Sequence, residues 1–371
     1  MAARRVRILH ILQSLGFGGM ENRIARLARG LDPERFEVEV LVLRPSSGAE
    51  VDLGPARRHV FPIAPGLHPL RLLALARFIR RGGYDVVHTH NWSSMFYGML
   101  AGYLARRPLL LHGEHGLNRA DLAGIPWKRL WAQRLLARLA DALVPVNEVI
   151  AGHVEEKWRL PRRALTVIYN GVDLEKFRPA AAEPEGFVLG MVGRLDDVKD
   201  IGCALEALAL LRSDGAPEAR LILVGDGPMA ASLAARAAAL GLEGAVEFAG
   251  ARRDAHAWYG RFHVYLNTSV YEGMSNTLLE AMACGLPLVA SRVPGNAAWL
   301  REGENAAFFR PGDARELADR ILALRADPAA RAAMGRRNRA RAESDFDNRA
   351  FLSAYSDFYA RLLPGRLTPA R

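Results

Sequence analysis

Residues 264–296 read as a strand, a polar loop, a short helix, a tight turn and a second strand. Val264–Leu266 is an apolar strand, Thr277–Cys284 has helical character, and Gly285 fits a helix stop. Leu286–Ala290 is again strand-like. This order predicts one unit of a parallel α/β sheet, a class of fold that binds ligands at the loops following its strands.

Two carboxylates, Glu272 and Glu280, stand in this stretch. The residues between them favour a turn and a helix start, which places Glu272 on the loop and Glu280 in the first helical turn. The N–H groups of such a helix start can bind a phosphate. The candidate binding residues beside them are Gly273, Ser275, Asn276 and Thr277. A structural alternative stays open, because Thr277-x-x-Glu280 matches a capping box in which Glu280 only satisfies backbone N–H groups.

The spacing Glu272-x7-Glu280, followed by AMACGLPLVA, resembles the donor-site signature of the family 4 retaining glycosyltransferases. The resemblance implies the α/β GT-B fold, in which two Rossmann-like parallel-sheet domains face a central cleft. It also implies that Glu272 lies by the donor sugar and that Glu280 binds the ribose hydroxyls of the nucleotide.

The first strand, Val6–Leu12, runs into a glycine-rich turn and a helix. This turn does not match G-x-G-x-x-G, because Glu21 stands where the third glycine would fall, and that argues against a dinucleotide site here. A tight strand-to-helix turn is one interpretation. The segment GGMEN also resembles the GG-x-E entry of family 4 enzymes, which implies that Gly18 and Gly19 approach the donor phosphates or the acceptor.

Histidines gather at strand ends in the segments VHTHN and LHGEHG. Together with Glu114 they suggest a metal site, but no helical H-E-x-x-H arrangement is present and the two groups come from different strand-helix units. We therefore predict no required metal. Resemblance to the family selects His115 as the residue that contacts the donor sugar. We interpret His88, His90 and His112 as structural.

Another strand, Phe187–Val192, opens the second half, and Arg194 and Lys199 bracket the loop after it. Two cations here can neutralise a diphosphate leaving group, although from spacing alone two solvated surface cations are the plainer interpretation. The pattern GRL-x4-K resembles the diphosphate-binding loop of the family. The glycine that usually follows the lysine is Asp200 here, which leaves the backbone geometry of this loop open.

A glycine-rich loop deeper in the chain favours a different class of enzyme. The segment Gly225–Ala230 follows a strand and formally matches the G-x-G-x-x-A fingerprint of a nicotinamide site. The loop after the first strand lacks this pattern, and VGDGP is also typical of family 4 enzymes. An NAD-dependent dehydrogenase and a non-catalytic sugar-binding or scaffold protein therefore stay open beside a glycosyltransferase.

The length of 371 residues suits two α/β domains. Ala, Glu and Pro accumulate near residues 172–186 and indicate a linker. We expect an N-terminal Rossmann-like acceptor-side domain in residues 1–171 and a C-terminal nucleotide-sugar donor domain in residues 187–345. By resemblance to GT-B enzymes, the last helix, in residues 346–371, is expected to pack back on the first domain.

The formal charge of +10 favours anionic partners. No zinc-finger, RRM or KH motif points to nucleic acid. The segment Ile125–Leu139 combines Trp127 and Trp131 with basic residues, which suits a helix at a membrane surface. A sheet-covering helix with a solvated arginine face is the preferred alternative.

Two distant cysteines make a disulfide framework unexpected and favour a cytoplasmic location, including the inner face of the membrane. No apolar run is long enough to cross a bilayer.

The segments EGMSNTLLEAMACGLPLVA and LHGEHG particularly resemble the exopolysaccharide-associated sugar transferase branch. This resemblance implies transfer of a hexose from a UDP- or GDP-sugar to a sugar or lipid-linked glycan acceptor, with retention at the anomeric carbon and no required cofactor. A hydrolase that uses Glu272 and Glu280 as an acid and nucleophile pair is less favoured, because Glu280 is predicted inside a helix.

Overall fold

The computed structural model describes residues 4–16, 18–46, 50–106, 108–116 and 124–364. The chain divides into two compact units: Met1–Asn170 with Arg349–Arg371, and Gly171–Asn348. Within the described residues each unit contains a six-stranded sheet in which every strand pair is parallel. The predicted α/β class is therefore confirmed.

The first unit is built on a sheet with the strand order β3-β2-β1-β4-β5-β6. Its strands are β1 (Val6–Leu12), β2 (Phe36–Val42), β3 (Arg57–Val60), β4 (Val86–His90), β5 (Leu109–Glu114) and β6 (Ala142–Pro145). Its helices up to residue 170 are α1 (Gly19–Gly30), α2 (Pro69–Gly82), α3 (Asn91–Ala105), α4 (Trp127–Ala137) and α5 (Glu148–Trp158). This is the Rossmann order, and the order of the strands reverses between β1 and β4.

The second unit repeats the same topology with the strand order β12-β11-β10-β7-β8-β9. Its strands are β7 (Phe187–Val192), β8 (Ala219–Val224), β9 (Val246–Gly250), β10 (Val264–Asn267), β11 (Leu288–Ser291) and β12 (Ala306–Phe309). Its helices are α6 (Ile201–Ser213), α7 (Ala230–Ala239), α8 (Ala255–Trp258), α9 (Asn276–Ala283), α10 (Pro294–Ala297), α11 (Ala314–Ala326) and α12 (Pro328–Asp345). The reversal of strand order lies between β7 and β10, so the loops after these two strands are where ligands bind such sheets.

The strand β1 shows how the first sheet is held. Ile8 and Leu12 pack into the core on one face, whereas Leu9 and Ile11 pack into the core on the other face. A strand buried on both faces reads as a nearly continuous apolar run, which is why its bounds follow from the sequence. His10 lies on the same face as Ile8 and Leu12 and is fully buried.

The last helix, α13 (Asn348–Leu362), contributes aromatic residues to the first unit. These residues, all buried in the core beside β1, are Phe351, Tyr355, Phe358 and Tyr359. The fully buried guanidinium of Arg23, from α1, donates hydrogen bonds to Tyr355 Oη at 2.8 Å and to the Ile168 carbonyl at 2.8 Å. Because buried charges need such partners, these bonds tie α13 to α1.

The segment of residues 172–186, whose composition predicts a linker, packs against the second unit. Arg339 of α12 donates hydrogen bonds to the Phe177 carbonyl at 2.9 Å and to the Ala283 carbonyl at 2.7 Å. The Phe177 ring meets the edge of the Tyr259 ring at a centroid distance of 5.6 Å. The segment is thus fixed by specific contacts although it contains no helix or strand.

Both cysteines, Cys203 and Cys284, are buried and free, as predicted. Burial raises the pKa of each thiol to about 12, so both stay protonated at neutral pH. Among the described residues, no helix has both the length and the apolar character that crossing a bilayer requires.

Candidate functional site

Two loops of the second unit lie side by side at the reversal of strand order. One follows β7 and contains Lys199; the other follows β10 and contains Glu272. Thr268 Oγ1 donates a hydrogen bond to the Lys199 carbonyl at 2.6 Å, and the Val270 N–H donates to the Val198 carbonyl at 2.9 Å. These bonds hold the two loops together at the carboxyl edge of the sheet.

Glu272 is the centre of this site. Its side chain is buried, and its Oε1 atom lies 2.6 Å from Lys199 Nζ. The same oxygen accepts hydrogen bonds from Ser269 Oγ at 2.7 Å and Asn267 Nδ2 at 3.1 Å. No hydrogen bond to Oε2 is found within the described residues. The carboxylate is therefore held by one oxygen, and the other can accept a hydrogen bond from a ligand.

The surroundings of Glu272 keep it ionised. Burial alone would raise the pKa of this carboxyl, but the Lys199 ammonium and the hydrogen bonds from Ser269 and Asn267 outweigh burial and lower the pKa. Asn267 is itself fixed, because its Oδ1 accepts a hydrogen bond at 2.9 Å from Nδ2 of the buried Asn296. The site thus presents a fixed negative charge paired with one cation.

The loop after β7 also carries Arg194. Its side chain is 66% exposed, and its Nε lies 3.8 Å from Asp196 Oδ2, a loose pair that leaves the guanidinium accessible. Asp200 adopts a left-handed conformation with φ +43° and ψ +49°. The backbone geometry that a glycine would allow without strain is therefore kept here by an aspartate, although this conformation costs a side-chain-bearing residue about 1 kcal/mol.

Helix α9 corrects one prediction about Glu280. The helix begins at Asn276, and Ser275 caps it by accepting a hydrogen bond from the Leu278 N–H at 3.4 Å. Glu280 therefore lies in the second turn, too far along the helix for the predicted capping box with Thr277. Its Oε2 instead accepts a hydrogen bond from Tyr259 Oη at 2.7 Å.

The hydroxyl of Tyr259 stays protonated. Burial and the neighbouring Glu280 carboxylate raise the pKa of Tyr259 well above its usual value.

Gly273, which precedes the cap of α9, lies against the short helix α10. A Cβ on Gly295 of that helix would overlap the Glu272 carbonyl and lie 2.9 Å from the Gly273 carbonyl. Close backbone packing therefore fixes the loop that carries Glu272.

The loop Gly225–Ala230 has a structural explanation for its glycines. A Cβ on Gly225 would overlap the Gly193 carbonyl, and a Cβ on Gly227 would overlap the Leu195 carbonyl. The Leu195 N–H also donates a hydrogen bond to the Asp226 carbonyl at 3.0 Å. These glycines thus let the loop after β8 approach the loop after β7. The G-x-G-x-x-A match therefore needs no nicotinamide cofactor to explain it.

The remaining predicted residues lie in the first unit. Gly18 caps α1 in an extended conformation, and its carbonyl accepts a hydrogen bond from the Asn22 N–H at 3.0 Å. Gly19 opens the helix and is exposed. His115 follows β5, and its Nε2 lies 2.9 Å from His90 Nδ1. These residues follow β1 and β5 and so lie at the carboxyl edge of the first sheet.

The structure thus brings Lys199 and Glu272 into contact and places Arg194 on the same loop as Lys199. Sequence reasoning missed the polar residues that hold this pair in place, which are Asn267, Ser269, Asn296 and, beside Glu280, Tyr259. The run of polar residues directly after the apolar strand β10 was the available signal for the first two. Nothing local in the sequence marks Asn296 or Tyr259.

Comparisons with known proteins agree with this architecture. Residues 17–176 match the family model described as Glycosyltransferase Family 4, and residues 186–327 match the model described as Glycosyl transferases group 1. D-inositol 3-phosphate glycosyltransferase 2 of Catenulispora acidiphila is 29% identical, over 93% of this chain and 90% of the relative. The Escherichia coli UDP-Gal:alpha-D-GlcNAc-diphosphoundecaprenol alpha-1,3-galactosyltransferase is 28% identical, over 61% of this chain and 62% of the relative.

Among solved structures, the Anabaena protein Alr3699/HepE in complex with UDP-glucose is similar with a TM-score of 0.83. The two chains are 23% identical, and the match covers 96% of this chain and 100% of that one. This likeness confirms the GT-B fold class with its two Rossmann-like domains. The two family models, which between them match residues in both units, show that this chain belongs to the family 4 glycosyltransferases.

Proposed function

We propose that this glycosyltransferase transfers a hexose from a nucleoside diphosphate sugar to a hydroxyl acceptor, with retention of the anomeric configuration and without a required cofactor. The observation that carries the proposal is the Lys199–Glu272 pair at the reversal of strand order of the second sheet. An ionised carboxylate with one oxygen left for a ligand suits a sugar hydroxyl. The two cations on the neighbouring loop suit the diphosphate.

In the proposed reaction the bond between the anomeric carbon and the diphosphate oxygen breaks, and a bond from the acceptor oxygen to the same carbon forms. The acceptor proton passes to the departing diphosphate. Arg194, Lys199 and the N–H groups at the start of α9 stabilise the negative charge that develops on the leaving group. Because Lys199 and the N–H groups are fixed before the reaction, they need little reorganisation as the charge develops.

We propose roles for the other predicted residues from the family resemblance. Glu280, held by Tyr259 Oη at 2.7 Å, binds the ribose hydroxyls. Gly273, Ser275, Asn276 and Thr277 form the phosphate-facing start of α9. In the first unit, His115 contacts the donor sugar, and Gly18 with Gly19 approaches the donor phosphates or the acceptor. These roles extend the family resemblance to the positions that match its motifs.

We propose uridine diphosphate as the nucleotide, because the galactosyltransferase relative is named for UDP-Gal and the Anabaena neighbour was solved with UDP-glucose. The acceptor named for the galactosyltransferase is a diphosphoundecaprenol-linked sugar. A lipid-linked glycan acceptor, in exopolysaccharide or capsule synthesis at the inner face of the cytoplasmic membrane, fits both this name and the motif resemblance.

Replacing Arg194 by alanine is expected to weaken UDP binding by about 10- to 100-fold, because a charge-assisted hydrogen bond to phosphate contributes roughly 1.5–3 kcal/mol. Isothermal titration calorimetry of the full chain with UDP measures this change. Arg301→Ala is a matched control, since Arg301 is 69% exposed and pairs loosely with Glu304 at 3.4 Å. Equal UDP affinities for the Arg194 and Arg301 variants would contradict the assignment of Arg194.

A second proposal concerns helix α4 and an anionic membrane surface. Trp127 is 74% exposed, Trp131 is 62% exposed and Leu135 is 47% exposed. Their spacing places them on one face of the helix, whereas Leu136 and Ala137 are buried on another. The solvent face therefore carries these apolar side chains beside the exposed Lys128 and Arg138. Exposed tryptophans beside basic residues are typical of helices that lie in a membrane interface.

Binding to vesicles of phosphatidylglycerol is expected to fall at least about tenfold in the double variant Trp127→Ala, Trp131→Ala, because two interfacial side chains are lost. Co-sedimentation with vesicles measures binding, and vesicles of phosphatidylcholine test the electrostatic contribution. Tyr103→Ala is a control of similar exposure in the same unit, at 61%. Unchanged binding of the tryptophan variant would show that α4 does not contact the membrane.

A further inference from the structure

Three histidines form a hydrogen-bonded row through the first unit. His10 Nδ1 lies 2.9 Å from His90 Nε2, and His90 Nδ1 lies 2.9 Å from His115 Nε2. His10 and His90 are fully buried, whereas His115 lies at the end of the row, after the last residue of β5. The row therefore runs from the core of the sheet to its carboxyl edge.

The surroundings keep these rings neutral. Burial lowers the pKa of His10 to about 3 and lowers the pKa of His90 and His115 well below the usual value. The positive charge of Arg23 also lowers the pKa of His115. Each ring then carries one proton, and the two hydrogen bonds of the row use two of the three. The position of the third depends on the direction in which the row donates.

The buried end of the row decides that direction. His10 Nε2 has no hydrogen-bond partner among the described residues. If the row donated inward, this nitrogen would carry a buried N–H without an acceptor, which is rare in folded proteins. If it donates outward, His10 Nδ1–H donates to His90 and His90 Nδ1–H donates to His115 Nε2. The third proton then sits on His115 Nδ1.

Backbone features at Gly113 and Asn91 permit and hold the contact between His90 and His115. Gly113 lies beside both rings, and a Cβ there would lie 2.7 Å from His90 Nδ1 and 3.0 Å from His115 Nε2. Asn91, directly after His90, has φ +61°, a left-handed conformation that costs energy in a residue other than glycine. Its Oδ1 accepts a hydrogen bond from the His115 N–H at 3.3 Å. His115 is thus held by its ring and by its backbone.

Clustered histidines could instead bind a metal ion. His10, His88 and His90 each place a ring nitrogen within 4.8 Å of the others. Their rings are stacked, however, with centroids 4.4–5.1 Å apart and interplanar angles of 20–29°. His90 Nε2 is already engaged with His10 Nδ1, and His90 Nδ1 with His115 Nε2, so neither ring nitrogen of His90 is left for a metal. The geometry favours a row of shared protons.

We propose that His10 and His90 are positioning residues that fix His115 in the tautomer protonated at Nδ1, so that His115 presents an N–H donor at the carboxyl edge of the first sheet. This inference rests on the proposed function for the role of His115 as a sugar contact. It goes further by assigning the tautomer and the two residues that set it. Neither residue needs to touch the substrate.

The tautomer can be read without substrate. Long-range 1H–15N correlation spectra of the full chain, labelled with 15N-histidine and assigned with His115→Gln, distinguish the two neutral tautomers. We expect His115 to be protonated at Nδ1 in the wild type and to become a mixture in His90→Phe. Gly113→Ala should produce the same mixture although it removes no histidine, because its Cβ separates the two rings. His68→Phe, a histidine outside the row, should change nothing.

Kinetics supply the second readout. His90→Phe is expected to lower kcat by roughly 10- to 100-fold with little change in the KM for the donor, as expected for a lost hydrogen-bond donor of fixed orientation. Protonation of wild-type His115 at Nε2, an unchanged tautomer in His90→Phe, or retention of one zinc ion per chain after dialysis would each overturn the proposal. If the wild type transfers no sugar, the proposed function fails, but the spectra still decide the tautomer.

Discussion

Replacing Glu272 by glutamine is expected to lower the rate of sugar transfer by about 10²–10³-fold, the usual cost of removing one fixed electrostatic group from an active site. The glutamine keeps the size of the side chain but removes its charge. Lys199 then loses its partner at 2.6 Å, and the oxygen that would accept a hydrogen bond from the sugar becomes a weaker acceptor. Transfer from a UDP-sugar, measured as released UDP, gives this rate.

The same substitution is expected to leave the chain folded. Three contacts to Glu272 Oε1 weaken, but Lys199 is 29% exposed and is therefore partly solvated when its partner is neutral. The free energy of unfolding should fall by roughly 1–3 kcal/mol, less than the stability of a typical domain.

A control and a contrary result are available for this prediction. Glu218 lies in the same unit and its carboxylate pairs with Arg325 at 2.8 Å. Glu218→Gln removes this charge and should leave the transfer rate unchanged. Full activity of Glu272→Gln would remove Glu272 from the site. Failure of this variant to fold would support a purely structural role for the Lys199–Glu272 pair.

Acidification from pH 7 to pH 5 is expected to destabilise the first unit strongly. His10, His88 and His90 are fully buried, and burial lowers the pKa of all three below the ordinary value of 6.5. Among the described residues, the groups that face them are Arg23, His112, His115, Tyr355 and Tyr359, and none of these is a carboxylate. The pKa of the neighbouring His115 is also lowered well below 6.5, so the folded state holds four neutral histidines that the unfolded chain would protonate.

The direction of the effect follows from proton binding. Below pH 6.5 the unfolded chain binds more protons than the folded chain, so the free energy of unfolding falls as the pH falls, whereas above pH 6.5 these groups contribute no pH dependence. Each histidine contributes up to about 1.4 kcal/mol per pH unit. Four of them amount to at most about 8 kcal/mol between pH 6.5 and pH 5. That loss is comparable to the whole stability of a domain.

Hydrogen exchange of peptides from β1 and β4, measured between pH 8 and pH 5 with correction for the intrinsic exchange rate, reports this loss directly. Protection in these strands should fall steeply below pH 6.5. Peptides from β7 and β8 should lose less, because the pKa of one buried histidine, His263, is lowered in that unit. His10→Phe should reduce the slope by about a quarter, because one of four contributors is removed. Constant protection of β1 down to pH 5 would show that these histidines are not held neutral.

Much of the fold could be predicted because the central strands are apolar runs bounded by breakers. Val6–Leu12 and Phe187–Val192, which are central strands of their sheets, have the bounds that the sequence indicates. The edge strand β3, with the sequence RRHV, was missed because its side chains are largely exposed and carry no apolar pattern. It exists because of its pairing with β2, which is a tertiary interaction.

Site residues could be predicted where the spacing of a local motif identifies them. They could not be predicted where the pairing of strands in the sheet brings distant residues together. Lys199 and Glu272 stand on loops whose strands pair as neighbours, and the family resemblance selected both. Asn296 reaches the site only because β11 pairs with β10, so its contact with Asn267 follows from the topology. His10 reads as one polar residue in an apolar strand, and its partner His90 comes from β4.

The most direct test of this account is a thermal-shift screen of the purified full chain against UDP, GDP, ADP, their sugar conjugates, NAD and NADP. A ligand present at one hundred times its Kd stabilises the folded state by about 2.7 kcal/mol, which for a domain of this size raises Tm by several degrees. We expect UDP or a UDP-sugar to raise Tm and NAD and NADP to leave it unchanged. Stabilisation by NAD or NADP alone, with no response to any nucleoside diphosphate, would contradict the account.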